Sequence, residues 1–272
     1  MNLNESEKSR GVLLFAFNSK TVDYVKIADL SSRLIEKNLG LPVTLVTDVD
    51  AAPAYDYDHI IRVESKTGNI RLDNQHQVYE WKNFDRYLAY QLSPYQETIL
   101  IDSDYLMLDN SLLTLFEQPF DYRLQYNMRT IDGVNNDLMG PLSLPLIWAT
   151  VVLFRKTEHS KNFFDLVGRI QRNYGYYKTL FSVTGPGYRN DYAFSMANII
   201  LNGYRINKEE SIPWHMITIE KDIQDIEIKN QFLVVRNSDQ AQVISKQNLH
   251  VMDKKFLTSE KFETFVGDIC RG

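Results

Sequence analysis

Two periodicities alternate along the first hundred residues. Residues 11–17 (Gly-Val-Leu-Leu-Phe-Ala-Phe) form an unbroken apolar run, the pattern of a strand covered on both faces. Residues 22–39 then place Ile27, Leu30, Leu34 and Ile35 at helical spacing and meet Gly40 as a stop. Residues 42–47 read as a second strand ending on Asp48, 59–63 as a third and 98–101 as a fourth. A helix is expected over 78–92, stopped by Ser93-Pro94. Strand, helix and strand in that rhythm predict parallel pairing through right-handed crossovers, hence an open α/β sheet.

The second half is more mixed. Residues 148–154 (Trp-Ala-Thr-Val-Val-Leu-Phe) are a further buried strand, and helices are expected over 159–174, within 188–201 opening near Asn190-Asp191, and over 259–270. A hairpin is expected over 226–235 around Lys229-Asn230. Between these, 121–145 carries Gly, Pro and Asn and reads as a long loop, the kind that lies over a binding site.

Composition narrows the class. With 272 residues, 44% of them hydrophobic, the chain suffices for one large α/β domain with a modest extension. The net charge of −5, with both signs scattered, argues against a general nucleic-acid binder. Cys270 is the only cysteine, which excludes an internal disulfide and a cysteine zinc site, so a reducing, cytoplasmic setting is expected. Residues 1–10 read as a flexible polar tail without the apolar centre of a signal peptide, and no apolar run is long enough to span a bilayer.

The strongest chemical signal is Asp102-Ser103-Asp104, directly after the apolar Ile99-Leu100-Ile101. Ligands of open α/β sheets bind outside the carboxyl ends of the strands, where these two carboxylates stand. In extended backbone, residues i and i+2 point the same way, so both can reach one cation. Oxygen ligands suit a hard ion such as Mg²⁺ or Mn²⁺, with diphosphate oxygens and water completing its shell. The competing structural role is a solvated turn or helix cap, since Asp109-Asn110-Ser111 opens a short helix just downstream. An EF-hand loop is excluded because Met107 and Leu113 stand where its Gly and Glu belong. A haloacid-dehalogenase-type phosphatase carries its Asp-x-Asp on the first strand; here the strand is about the fourth.

Four motifs in order resemble the GT-A glycosyltransferases, most nearly the group of glycogenin and the lipopolysaccharide galactosyltransferases. The resemblance runs over about residues 11–255. Arg86, Pro94, the apolar strand and Asp102-Ser103-Asp104 repeat the group's Arg, Pro and Asp-x-Asp order. Residues 148–154 resemble its Phe-Asn-Ser-Gly-Val strand without the Asn and Gly, and Arg189-Asn190-Asp191 resembles its Asp-Gln-Asp segment. His250-Val251-Met252-Asp253-Lys254-Lys255 resembles its late His-x-x-Gly…Lys-Pro-Trp element, with Asp253 for the Gly, a shorter gap to lysine and no Pro-Trp.

The resemblance implies a GT-A fold: an open mixed sheet with flanking helices, residues 11–120 forming the nucleotide-sugar half and 121–272 the acceptor side. It implies Mn²⁺ or Mg²⁺ on Asp102, Asp104 and His250, with Lys254 or Lys255 on a phosphate. Ala16, Asn18, Asp48 and Ser103 are expected around the nucleotide, and Arg86 on a phosphate or on Asp102. Asp191, either helix cap or catalytic group, is the candidate beside the anomeric carbon, where it would orient the sugar or steady an oxocarbenium-like transition state. The expected reaction moves a sugar, with retention, from a nucleoside diphosphate donor, most naturally a UDP-sugar, to a hydroxyl acceptor. A sugar-phosphate nucleotidyltransferase would want a glycine-rich loop after strand one, and Phe17-Asn18-Ser19-Lys20-Thr21 has no glycine. A non-catalytic sugar-binding relative is the other alternative. The acceptor is open between a saccharide and a hydroxylated nucleic-acid base, the latter suggested by Arg123, Arg129, Arg169, Arg172, Lys178 and Arg189.

Overall fold

The computed structural model describes residues 9–64, 70–72, 78–80, 82–135, 138, 144–183, 187–205, 207 and 210–272. Most of the expected tail, residues 1–8, therefore lies outside the described residues. β1 (Arg10–Phe15) opens the fold and feeds α1 (Tyr24–Leu39). Asp23 caps α1 by accepting the Lys26 N–H at 2.9 Å, and Gly40 ends it at φ 60°, a left-handed conformation that favours glycine. β2 (Val43–Asp48) and β3 (His59–Val63) follow, then a small hairpin of β4 (Ile70–Leu72) and β5 (Val78–Glu80). The helix expected over 78–92 therefore begins as strand, at Val78–Glu80. Its first residues satisfy their backbone groups against β4, and only a 3₁₀ turn at Arg86–Leu88 and α2 (Ala89–Leu92) are helical.

β6 (Glu97–Asp102) and β7 (Tyr105–Leu106) flank the Ser103-Asp104 turn, and α3 (Ser111–Thr114) comes next. β8 (Tyr122–Gln125) and β9 (Met128–Thr130) lie where the sequence suggests only loop. Arg123 and Gln125 make β8 look solvent-facing, yet both are buried. Arg123 donates to Gln118 Oε1 and the Ser211 carbonyl, and Gln125 Nε2 donates to the Asn127 and Trp214 carbonyls. The chain closes with β10 (Trp148–Arg155), α4 (Glu158–Arg172), α5 (Tyr174–Leu180), α6 (Asn190–Leu201), β11 (Met216–Ile219), β12 (Asp225–Lys229), β13 (Phe232–Arg236), β14 (Ala241–Ser245), β15 (Leu249–Val251), α7 (Lys254–Leu257) and α8 (Glu260–Arg271).

The central sheet has the order β3-β2-β1-β6-β10-β8. β3, β2, β1 and β6 run parallel, and β10 runs against both its neighbours. Leu13, Leu14, Ile99, Leu100, Ile101, Val151 and Val152 are all fully buried, as strands covered on both faces require. A second, smaller sheet has the order β7-β15-β11-β9, and β12, β13 and β14 form a third. Ile27 and Leu34 of α1 pack with Leu106, Leu249, Val251, Phe262 and Val266, which fixes the second sheet and α8 against the first helix. Among the described residues no helix is long and apolar enough to cross a membrane.

At the amino end of β6, Glu97 lies in register between Arg10 of β1 and Arg155 of β10. Arg10 donates from Nη2 at 2.6 Å and Arg155 from Nε at 2.8 Å. Burial alone would raise the Glu97 carboxyl, but the hydrogen bonds from Arg155 and Arg10 outweigh it and hold it below the usual range. A carboxyl lowered in this way stabilises the fold above its unfolded pKa, and that contribution is lost as pH falls through the folded value. Glu97→Gln should therefore cost about 1–2 kcal/mol at pH 7 and progressively less as the pH is lowered into the acid range, measured by urea unfolding across that range.

Candidate functional site

The carboxyl ends of β1, β2 and β6 lie side by side. Phe15 is in register with Val46 of β2 on one side and with Asp102 on the other, so Ala16–Asn18, Asp48 and Asp102 share one edge of the sheet. Ala16 is buried, its N–H donating to the Val46 carbonyl. Asn18 Oδ1 accepts the Val25 N–H at 2.9 Å, tying the loop to the start of α1. Asp48 receives Lys82 Nζ at 3.3 Å on Oδ2, while its Oδ1 is buried without a hydrogen-bond partner among the described residues.

The Asp102–Asp104 turn joins the two larger sheets, because β6 belongs to one and β7 to the other. Asp102 Oδ1 accepts Arg86 Nη1 at 2.6 Å. Arg86 is 1% exposed, and its Nη2 also reaches the Thr150 carbonyl of β10 at 3.4 Å. Loss of hydration pushes the Asp102 carboxyl up to about 6; Arg86 pulls against that shift, and Asp104 and Asp191 add to it. Ser103 is buried, and its carbonyl accepts the Ser31 hydroxyl of α1.

Asp104 meets His250 across the second sheet. β15 pairs with β7 so that His250 lies opposite Tyr105, and the Val251 N–H donates to the Asp104 carbonyl at 2.9 Å. His250 Nε2 is 3.8 Å from Asp104 Oδ1, and Oδ1 is buried without a hydrogen-bond partner among the described residues. The other ring nitrogen, Nδ1, lies 3.2 Å from Thr218 Oγ1 on β11, and the ring packs against Trp148 with centroids 6.3 Å apart. Burial lowers the imidazole pKa despite the pull of Asp104, which favours the neutral form. In the tautomer that donates Nδ1–H to Thr218, Nε2 would present a lone pair toward Asp104, the arrangement of an oriented metal-binding histidine.

The second Asp104 oxygen, Oδ2, is ion-paired with Lys254 Nζ. Burial alone would raise the Asp104 carboxyl, but the Lys254 ammonium outweighs it and the net direction is down. Lys255, the next residue, is exposed. Asp191, in the first turn of α6, has both oxygens engaged. Oδ1 accepts the Ala149 N–H at 3.0 Å and Oδ2 takes Arg189 Nη2 at 2.7 Å. It thereby locks α6 to β10, close enough to act electrostatically on both Asp102 and His250.

Asp102, Asp104, His250, Lys254, Arg86 and Asp191 thus converge, Asp48 and Asn18 line the same sheet edge, and Lys255 stands outside. Among the described residues, no three His, Cys, Asp or Glu side chains already form a metal cage. Asp104 and His250 are nonetheless close enough to share one ion, since two ligand bonds of about 2.1 Å span their separation. Thr218, Trp148 and Lys82 escape sequence reasoning. Trp148 opens the strand that resembles a family motif but gains no role of its own from it, and neither Thr218 nor Lys82 belongs to a motif.

No family model matches the chain, and no curated protein is similar to it at a significant level. Solved structures do resemble it. The galactosyltransferase LgtC, solved with donor and acceptor sugar analogues, aligns with a TM-score of 0.53 at 11% identity, covering 95% of each chain. An active-site variant of LgtC aligns over 96% of this chain with the same score. The glycosyltransferase GlyE of Streptococcus pneumoniae TIGR4 gives a TM-score of 0.39 at 13% identity; 75% of this chain aligns, and it spans 45% of GlyE. The chain has the GT-A glycosyltransferase fold, as its motifs imply.

Arg86 is the counter-charge that Asp102 needs in this setting. Arg86→Met should destabilise the metal-free protein by about 3 kcal/mol or more at pH 8, because a sheltered carboxylate loses its partner. An acid whose folded pKa lies above its unfolded one loses stability as pH climbs between the two. The deficit should therefore shrink markedly at pH 5, where Asp102 takes up a proton. Urea unfolding in the presence of a chelator at the two pH values reads this directly.

Proposed function

We propose that the chain is a glycosyltransferase moving a sugar from a nucleoside diphosphate donor, a UDP-sugar, to a hydroxyl acceptor. One observation carries the reading: Asp104 Oδ1, buried and unpartnered, faces His250 Nε2 at 3.8 Å beside the carboxyl end of the central strand. An orphaned carboxylate oxygen next to an oriented, neutral imidazole fits a divalent cation better than it fits any structural role. Mn²⁺ or Mg²⁺ held by Asp102, Asp104 and His250 would offset the charge of the departing diphosphate.

The chain's own residues do the rest. The sheet edge at Ala16, Asn18 and Asp48 receives the base and ribose. Ser103 contributes the turn that aims both carboxylates. Arg86 holds Asp102 in place from beneath, and Lys254 supplies positive charge for a phosphate. Asp191, fixed by Ala149 and Arg189, holds a negative charge where an oxocarbenium-like sugar would develop a positive one. Retention at the anomeric carbon is part of the proposal and rests on the motif resemblance.

A saccharide acceptor fits better than a nucleic-acid base. Of the basic residues that would contact phosphates, Arg123 is buried on Gln118 and Ser211, Arg189 is paired with Asp191, and Arg172 lies over the Tyr87 ring. The nucleotidyltransferase alternative still lacks a glycine-rich phosphate loop after β1. A reducing, cytoplasmic setting remains part of the reading because of the lone cysteine.

UDP with Mn²⁺ should raise the melting temperature by several degrees where either alone does less, as linkage requires of a ligand that binds only the folded chain. Slow metal-dependent hydrolysis of a UDP-sugar should fall at least about 100-fold in Asp104→Ala. Unchanged hydrolysis in that variant, with a native circular dichroism spectrum, would remove Asp104 from the metal site.

A further inference from the structure

The two carboxylates of the triplet each carry a cation of their own, and the two cations are held very differently. Arg86 is 1% exposed and is also bonded to the Thr150 carbonyl, so it is part of the floor. Lys254 is 22% exposed and projects from the first residue of the four-residue α7. Among the described residues its ammonium also donates a 3.3 Å hydrogen bond to the Val251 carbonyl. A lysine ammonium on a four-carbon stem can leave such a seat for solvent or for another anion by rotation alone.

Asp104 faces two ways at once: Oδ2 to Lys254 and Oδ1 to His250 Nε2 at 3.8 Å. A divalent ion on that carboxylate would lie within a few ångströms of the ammonium, in a sheltered setting where like charges repel strongly. Both cannot remain.

From this we infer that Lys254 is a displaceable internal counter-cation, which neutralises Asp104 in the metal-free protein and gives it up when a divalent ion enters. The inference rests on the reading of Asp104 and His250 as metal ligands and adds the order of events around them. The released ammonium needs a new anion, and the diphosphate of the donor is the one the site brings. Metal and nucleotide therefore favour each other's binding, because the nucleotide offers Lys254 a partner as it leaves Asp104. Lys255, exposed one residue further on, takes no part in the exchange.

Calorimetric titration of Mn²⁺ into wild type, Lys254→Met and Lys254→Arg, each with and without UDP, tests this. Without UDP, Lys254→Met should bind Mn²⁺ at least about tenfold more tightly than wild type, and Lys254→Arg should stay near wild type. Adding UDP should tighten Mn²⁺ binding in wild type and do so much less in Lys254→Met. Equal affinities in wild type and Lys254→Met would overturn the displacement while leaving the metal site standing. No Mn²⁺ binding by any of the three would overturn both. Wild-type protein gives a second readout if Lys254→Met does not fold. On adding Mn²⁺ and UDP, followed by exchange into Mn²⁺ alone, lysine acylation read by mass spectrometry should speed up several-fold at Lys254 in the metal-loaded protein and stay constant at Lys255. An unchanged or slower rate at Lys254 would overturn the proposal.

Discussion

Two rungs of backbone pairing hold this site together. Leu249 lies opposite Leu106 and His250 opposite Tyr105, with the Val251 N–H on the Asp104 carbonyl. Through them a histidine near the end of the chain arrives beside a carboxylate in its middle. The rungs are short, and two strands of two and three residues would not hold alone. Their persistence comes from below. Leu106, Leu249 and Val251 are fully buried against Ile27 and Leu34 of α1 and Phe262 and Val266 of α8. Hydrophobic packing fixes the second sheet, the second sheet fixes His250, and Thr218 on the neighbouring strand sets the direction of its ring.

The central strand β6 is charged at both ends and, Thr98 apart, apolar between them. At its amino end Glu97 is clamped by Arg10 and Arg155, one from each flanking strand, so the carboxylate there is satisfied and structural. At its carboxyl end Asp102 has a fully buried cation and Asp104 a partly exposed one, and one Asp104 oxygen has no hydrogen-bond partner among the described residues. The same residue chemistry serves stability at one end and binding at the other. The difference lies in how completely the charge is answered.

The first-half elements were legible because they are long and strongly patterned: the apolar runs of β1, β2 and β6, the periodic α1, and Gly40 at its end. Asp102 and Asp104 were legible for the same reason, since an apolar strand points at them. The residues 78–92 misled, because a short strand and a 3₁₀ turn together mimic one helical stretch of apolar spacing. β8 was hidden by Arg123 and Gln125, polar residues that tertiary partners bury. The pairing of Lys254 rather than Lys255 with Asp104 was not legible at all. It depends on the Asp253 cap and the phase of α7, which a run of two lysines does not encode.

The central claim is that Asp104 and His250 share one divalent ion at the junction of the two sheets. Pulsed electron paramagnetic resonance of Mn²⁺ added with UDP measures the nitrogen ligands of that ion directly. The account predicts one imidazole nitrogen coupling that vanishes in His250→Ala, together with phosphorus couplings from the diphosphate. A spectrum with phosphorus couplings and no histidine nitrogen in the wild-type protein would contradict it.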